Sequence, residues 1–318
     1  MDGTGEQRVS VIDPLGPAVE RVKQILFKPF DIEKWFVIGF CAWLAFLCNG
    51  GGGGGGGNFH FDGPSRREMQ EVKNVFMENL AWIIPVFVIG LAIGLTLAVL
   101  FLWLSSRGKF MFLHCVATNR GEVKVPWHKY REAGNSLFMF RLVVWIISSV
   151  CFIPLIAAMV FLILIGAKRD FANPVPIIIG IALLVLTMIL FGLFFSLLNK
   201  FTKDFVVPIM YLGTTRCVDG WRKFLSILSV NKARFLLYIL FQLVIGLVIG
   251  GIVFALGLFT CGCACCLMAI PYIGAVLLLP ILIFERSYSV YYLGQYGKEF
   301  DVFVPLSVTD KGEVLFDG

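Results

Sequence analysis

Six long apolar stretches without a charged side chain divide the chain: Trp35 to Cys48, Leu80 to Leu104, Leu142 to Gly166, Val175 to Leu198, Phe235 to Thr260 and Leu267 to Phe284. A bilayer core of roughly 30 Å takes about 20 apolar residues in helical form, so all but the first predict membrane-spanning helices by length. The first supplies fourteen residues. It must borrow length toward residue 50, thin the bilayer, or dip in without crossing. The pattern predicts an all-α integral membrane protein, a single membrane domain over residues 1–318 with spans at about 35–50, 80–104, 142–166, 175–198, 235–260 and 267–284.

The segments between these stretches give the expected orientation. Lys and Arg number five in residues 1–34, six in 105–136, seven in 199–234 and three in 285–318, against five in the intervening segments, with Arg141 at the start of the third stretch. Basic loops resist translocation, so six crossings put these four segments and both termini in the cytoplasm, and the protein in the inner (cell) membrane. Residues 49–65 become a glycine-rich non-cytoplasmic loop and residues 295–318 a cytoplasmic tail. A composition of 58% hydrophobic and 15% charged residues, with mean hydropathy +0.85, is too apolar for one soluble core. Met1 to Pro17 is polar and shows no cleavable signal pattern.

Two basic segments share a plan. Ser105 to Ile146 and Asn199 to Phe241 each read as a polar turn closing a span, then an apolar helix of about three turns, then a Thr/Arg loop. A Trp-x-Lys helix follows in each (Trp127 and Lys129; Trp221 and Lys223) and leads into the next span. The chain ends fit as half-units, which predicts three repeated hairpins joined by amphipathic helices on the cytoplasmic face. In Val19 to Phe30, Val22, Ile25, Leu26 and Phe30 share a face, while Arg21, Lys23 and Lys28 either reach toward headgroups or leave the helix as a packed joint. Trp127, Tyr130 and Trp221 read as anchors in the aromatic belt.

No ionisable residue falls at mid-membrane, which argues against an ion-coupled pump. Arg141 reads as snorkelling, with Glu285 and Arg286 at the inner end of the last span. Gln242, Thr96, Ser148, Ser149, Thr187 and Ser196 read as helix-to-helix hydrogen-bonding groups. Gly90 with Gly94, and Gly246 with Gly250, have the four-residue spacing that lets helix backbones approach. The densest chemical cluster is Cys261, Cys263, Cys265 and Cys266, weak candidates for a soft metal site, for a disulfide with Cys48, or for plain packing. Against metal stand the absence of a histidine there and of a second CxxC pair. The run Gly50 to Gly57 lacks the Lys-Ser/Thr of a phosphate loop and reads as a linker. His60, His114 and His128 complete no catalytic pattern, so no enzyme activity, catalytic residue, resident metal or cofactor is expected.

The stretch SRGKFMFLHCV, followed by NRGEV and PWHKYREAGNSLF, with the glycine run and repeated hairpins, resembles a group of uncharacterised prokaryotic multi-pass proteins. That group is similar to the membrane domain of bacterial glycerophosphodiester phosphodiesterases. The soluble catalytic domain of those enzymes has no counterpart here, so the resemblance implies a fold and a membrane role without an activity. The expected function is a non-enzymatic membrane protein that organises lipid or partner proteins through its basic face, with membrane lipids as partners and no nucleic acid. The alternative is a transporter or flippase for lipid or a neutral solute.

Overall fold

In the computed structural model, which describes residues 9–47, 80–168, 174–213, 215–260 and 270–303, secondary structure is helical throughout. The elements are α1 (Leu15–Leu26), α2 (Ile32–Phe46), α3 (Leu80–Thr118), α4 (Lys124–Lys129), α5 (Arg131–Lys168), α6 (Pro174–Phe201), a π-helical turn (Thr202–Val206) and α7 (Val207–Gly213). They continue with α8 (Cys217–Val230), α9 (Lys232–Phe259), α10 (Pro271–Leu277), α11 (Leu279–Gly294) and a 3-10 turn (Lys298–Phe300).

Four described helical segments are long and apolar enough to cross a membrane: Ile84–Thr118, Arg131–Gly166, Val175–Gly213 and Lys232–Phe259. Each is far longer than a bilayer requires. At about 1.5 Å per residue, the 39 residues of α3 extend roughly 58 Å, nearly twice the hydrocarbon thickness. The apolar part of each helix, such as Ile84 to Phe101 in α3 or Val143 to Leu164 in α5, turns large side chains outward. The charged ends converge instead on a common core, which we call the base. There Phe110, Leu113, Leu137, Phe205, Met210, Phe224, Phe235 and Tyr238 are buried against α1, α2 and α11.

Both basic segments depart from expectation in the same way. No turn closes the span at Leu104 or Leu198; α3 runs on through Ser105 to Lys109, and α6 continues through the π-helical turn into α7. Helix survives there because its polar side chains are satisfied by protein. Ser105 Oγ donates to the Ala45 carbonyl (3.0 Å), and the Arg107 guanidinium donates to Asn135 Oδ1 (3.2 Å) while lying over the Trp103 and Trp127 rings. The helix that follows has 6 residues in the first segment and 14 in the second, so the two segments differ in length and the expected repeat is not confirmed.

The first predicted span also sits unexpectedly. Asp31 caps α2 by accepting from the Glu33 and Lys34 amides (2.9 and 3.3 Å). The helix then pairs with the basic end of α3: Lys34 Nζ donates to Asn119 Oδ1 (2.8 Å), and Cys41 and Cys115 sulfurs lie 3.9 Å apart. Ala45 lies beside Ser105. With 15 residues, about 22 Å, α2 ends where the exposed apolar length of α3 begins. The last predicted span is broken at Leu278 between α10 and α11, where Pro280 occupies the first turn of α11. Residues 267–269 lie outside the described set.

Close backbone approach occurs at a glycine that spacing did not single out. A Cβ on Gly108 would stand 2.6 Å from the backbone of Leu44 and Ala45. At Gly90, Gly94, Gly246 and Gly250 an added Cβ meets no described atom within 4 Å. Asn119, with φ of 58°, takes the left-handed conformation that ends α3.

Candidate functional site at the helix junction

The base holds the buried charge of the described residues. The π-helical turn inserts one extra residue per turn into the end of α6 and puts Lys203 and Asp204 among helices α9 and α11. Asp204 is 5% exposed and its Oδ2 accepts from Tyr238 hydroxyl (3.1 Å) and lies 3.3 Å from Lys200 Nζ. Gln242 closes the circuit: its Nε2 donates to Tyr238 hydroxyl (3.1 Å) and its Oε1 accepts from Lys200 (3.0 Å). Four side chains thus form a closed ring that fastens α6 to α9, each polar group meeting a complementary one.

Arg286, 4% exposed on α11, faces this ring from the other side. Its guanidinium donates to the Lys203 carbonyl, and its Nε has no partner among the described residues. Burial pushes its pKa down to about 10, against the pull of Asp204 and Tyr238. Lys203 pairs with Glu285 (3.5 Å) and lies 4.5 Å over the Phe46 ring. A narrow cleft opens beside them, lined by Phe46, Lys109, Phe112, Lys203, Leu282 and Arg286.

An aromatic cluster supports the ring. Phe205 stacks on Phe224 at 5.1 Å, meets Phe235 edge-on at 5.1 Å and approaches Tyr238 at 5.0 Å, while Tyr238 and Tyr292 lie 4.6 Å apart. Each such pair is worth about 0.5–1.5 kcal/mol beyond its buried area. Tyr292 hydroxyl donates to the Arg234 carbonyl (3.0 Å), tying α11 to the start of α9.

Several side chains expected at the lipid boundary belong to this core instead. Arg141 does not snorkel: it is 7% exposed and donates to Ser105 and Ser106 (3.2 and 3.1 Å), because the continuing α3 brings both hydroxyls to it. Arg21 does not reach toward headgroups. It is 4% exposed and donates to the Val116 carbonyl (2.9 Å) and to that of Ala117, capping the open carbonyls at the end of α3. The packed-joint reading of α1 holds for Arg21, whereas Lys23 and Lys28 remain exposed beside Glu20. Tyr130 is no belt anchor; it is 5% exposed and stacks on Tyr211 at 4.7 Å. His114 Nδ1 lies 3.0 Å from the Tyr211 hydroxyl, a packed position.

Gln242 links helices as expected, but Thr96, Ser149 and Thr187 each donate to the carbonyl four residues earlier in their own helix. The four cysteines at 261, 263, 265 and 266, together with Cys48 and the glycine run, lie outside the described residues. Among the described residues no group of His, Cys, Asp and Glu has the arrangement of a metal site.

Sequence reasoning passed over Asp204, which sits in a segment that composition marks as cytoplasmic loop, and placed Arg286 only at the inner end of the last span, without a buried role. The available signal was local: Asp204 falls four residues after Lys200, the spacing of an ion pair on one helix face, and is followed by the apolar run Phe205 to Met210.

A family of unknown function, DUF7544, matches residues 9–278 of the chain. No curated protein and no solved structure matches it. The likeness to the membrane domain of glycerophosphodiester phosphodiesterases finds no support in these matches.

Proposed function

We propose that the chain, which belongs to the family of unknown function DUF7544, is a non-enzymatic multi-pass protein of the cell membrane that organises anionic lipid and partner proteins through its basic base. One observation carries this reading: the four long helices turn apolar side chains outward along one part of their length and gather their cationic residues, Lys168 at the far end of α5 apart, at the other. A protein divided in that way has a lipid-facing zone and a charged zone at the membrane surface, where each Lys or Arg near anionic headgroups contributes about 1 kcal/mol.

The excess of Lys and Arg in the segments that build the base supports a cytoplasmic position for it. Six crossings with both termini on that side remain part of the proposal. Leu47 ends beside the α3 residues around Ser105, and Leu80 begins the same helix 25 positions earlier, roughly 37 Å away along its axis. Because α2 stops at the near edge of the apolar zone, the proposed first crossing rests on the count of apolar stretches and the Lys/Arg bias alone.

Purification in mild detergent followed by native mass spectrometry tests the function. Retention of anionic over zwitterionic phospholipid, or of a specific protein, is the expected result. A chain carrying only bulk lipid, together with substrate-dependent flux in proteoliposomes, would replace this reading with that of a transporter or flippase.

A further inference from the structure

The cleft between α2, α3, the π-helical turn and α11 has the character of a ligand site. Lys109, Lys203 and Arg286 reach it from three separate elements, and no carboxylate lines it. Lys109 and Arg286 are 7% and 4% exposed, so these charges are largely withdrawn from water. Glu285 and Asp204 are near but do not line the cleft. Glu285 pairs with Lys203 at 3.5 Å, and Asp204 is already held by Lys200 and Tyr238. Arg286 keeps an unpartnered Nε among the described residues, a buried donor for which an anionic oxygen is the matching acceptor.

We infer that this cleft binds the phosphate of an anionic phospholipid, held by Lys109, Lys203 and Arg286. Depth identifies the source of that phosphate. Lys109 lies five residues past Leu104 and Lys203 five past Leu198, each about 7 Å along the helix beyond the end of an apolar span. The headgroup layer occupies roughly the same distance beyond the hydrocarbon edge. The interior of the cleft has room for one water-sized group, which suits a single phosphoryl oxygen with the remainder of the phosphate at the mouth. Its other walls, Phe46, Phe112 and Leu282, are apolar, so an anionic oxygen entering the cleft meets the three cations away from bulk water. Basic pockets between membrane helices are a recurrent way of holding acidic headgroups.

This inference rests on the lipid-organising role proposed above and names its site. The experiment compares the full chain with Lys109→Gln, Lys203→Gln and Arg286→Gln variants, and with Arg222→Gln and Lys223→Gln on the exposed face of α8 as charge-matched controls. Each is titrated in detergent with phosphatidylglycerol, phosphatidylcholine or inorganic phosphate and read by native mass spectrometry. Each lysine removed from the cleft is expected to weaken phosphatidylglycerol binding about fivefold, with a clearly smaller loss in the α8 controls and phosphatidylcholine binding unchanged. Circular dichroism accompanies each variant. Should Arg286→Gln fail to fold, the two lysine variants carry the test. Equal weakening in the α8 controls would overturn the cleft assignment while leaving the lipid-organising role standing. No preference for phosphatidylglycerol in the unmodified protein would overturn both. Displacement of the lipid by millimolar inorganic phosphate would overturn the lipid as the source.

Discussion

Gly108 on α3 lies directly against the backbone of Ala45 on α2, so close that a Cβ would stand 2.6 Å from the Ala45 nitrogen. Neither helix can withdraw freely. The Ser105 hydroxyl one turn earlier bonds the Ala45 carbonyl, and the Cys41 and Cys115 sulfurs meet at 3.9 Å further along the same pair.

Gly108→Ala therefore is expected to destabilise the protein by about 1–3 kcal/mol or more, since a backbone cannot swing aside as a side chain can. Gly90→Ala and Gly246→Ala, open in the described residues, are expected to stay within about 0.5 kcal/mol. Thermal unfolding in detergent separates the two classes. A large loss at Gly90 or Gly246 with none at Gly108 would mean that the helices pack elsewhere.

The ring of Lys200, Asp204, Tyr238 and Gln242 makes a second prediction. Tyr238→Phe deprives Asp204 of a donor and Gln242 of an acceptor, at a cost of about 1–3 kcal/mol. Asp204→Asn removes the carboxylate that faces Lys200 and the buried Arg286 and is expected to cost about 1–3 kcal/mol, because Arg286 loses counter-charge while Lys200, a third exposed, keeps water. The double variant is expected to lose less than the sum, as members of one network do. Denaturant titration in detergent measures all three, and strict additivity would show that the ring is not coupled.

Much of the membrane part was legible. The second to fifth predicted stretches coincide with the outward-facing apolar lengths of α3, α5, α6 and α9, because uncharged runs of that length have few other structural solutions. The base was not legible, for a physical reason. Polar residues such as Ser105, Arg107 and Arg141 normally end a span by seeking water, but here they find partners in protein, and a sequence does not reveal which of the two will satisfy them. Gly108 was hidden in the same way, within a segment that reads as a basic turn. Depth was hidden too: α2 is as apolar as a span, yet its partner is the basic end of α3.

Alkaline pH is expected to weaken the fold. Burial pushes the Cys217 thiol up to about 12 from its usual 9.0 and raises the Tyr288, Tyr291 and Tyr292 hydroxyls as well. The native state keeps protons that the unfolded chain has released. Stability is thus full below the unfolded pKa and falls as pH rises from about 9, by up to about 1.4 kcal/mol per pH unit for each such group. Denaturant midpoints should decline over that range, with phenolate absorbance appearing together with unfolding. Phenolate formation well before unfolding would show these hydroxyls to be in contact with water.

The orientation of the base is the claim on which the functional account turns, and cysteine labelling in intact cells tests it most directly. In a chain whose native cysteines are replaced, Arg222→Cys on the exposed face of α8 is predicted to escape a membrane-impermeant maleimide until the cells are permeabilised. Labelling of Arg222→Cys in intact cells would place the basic base on the outer surface and contradict the account.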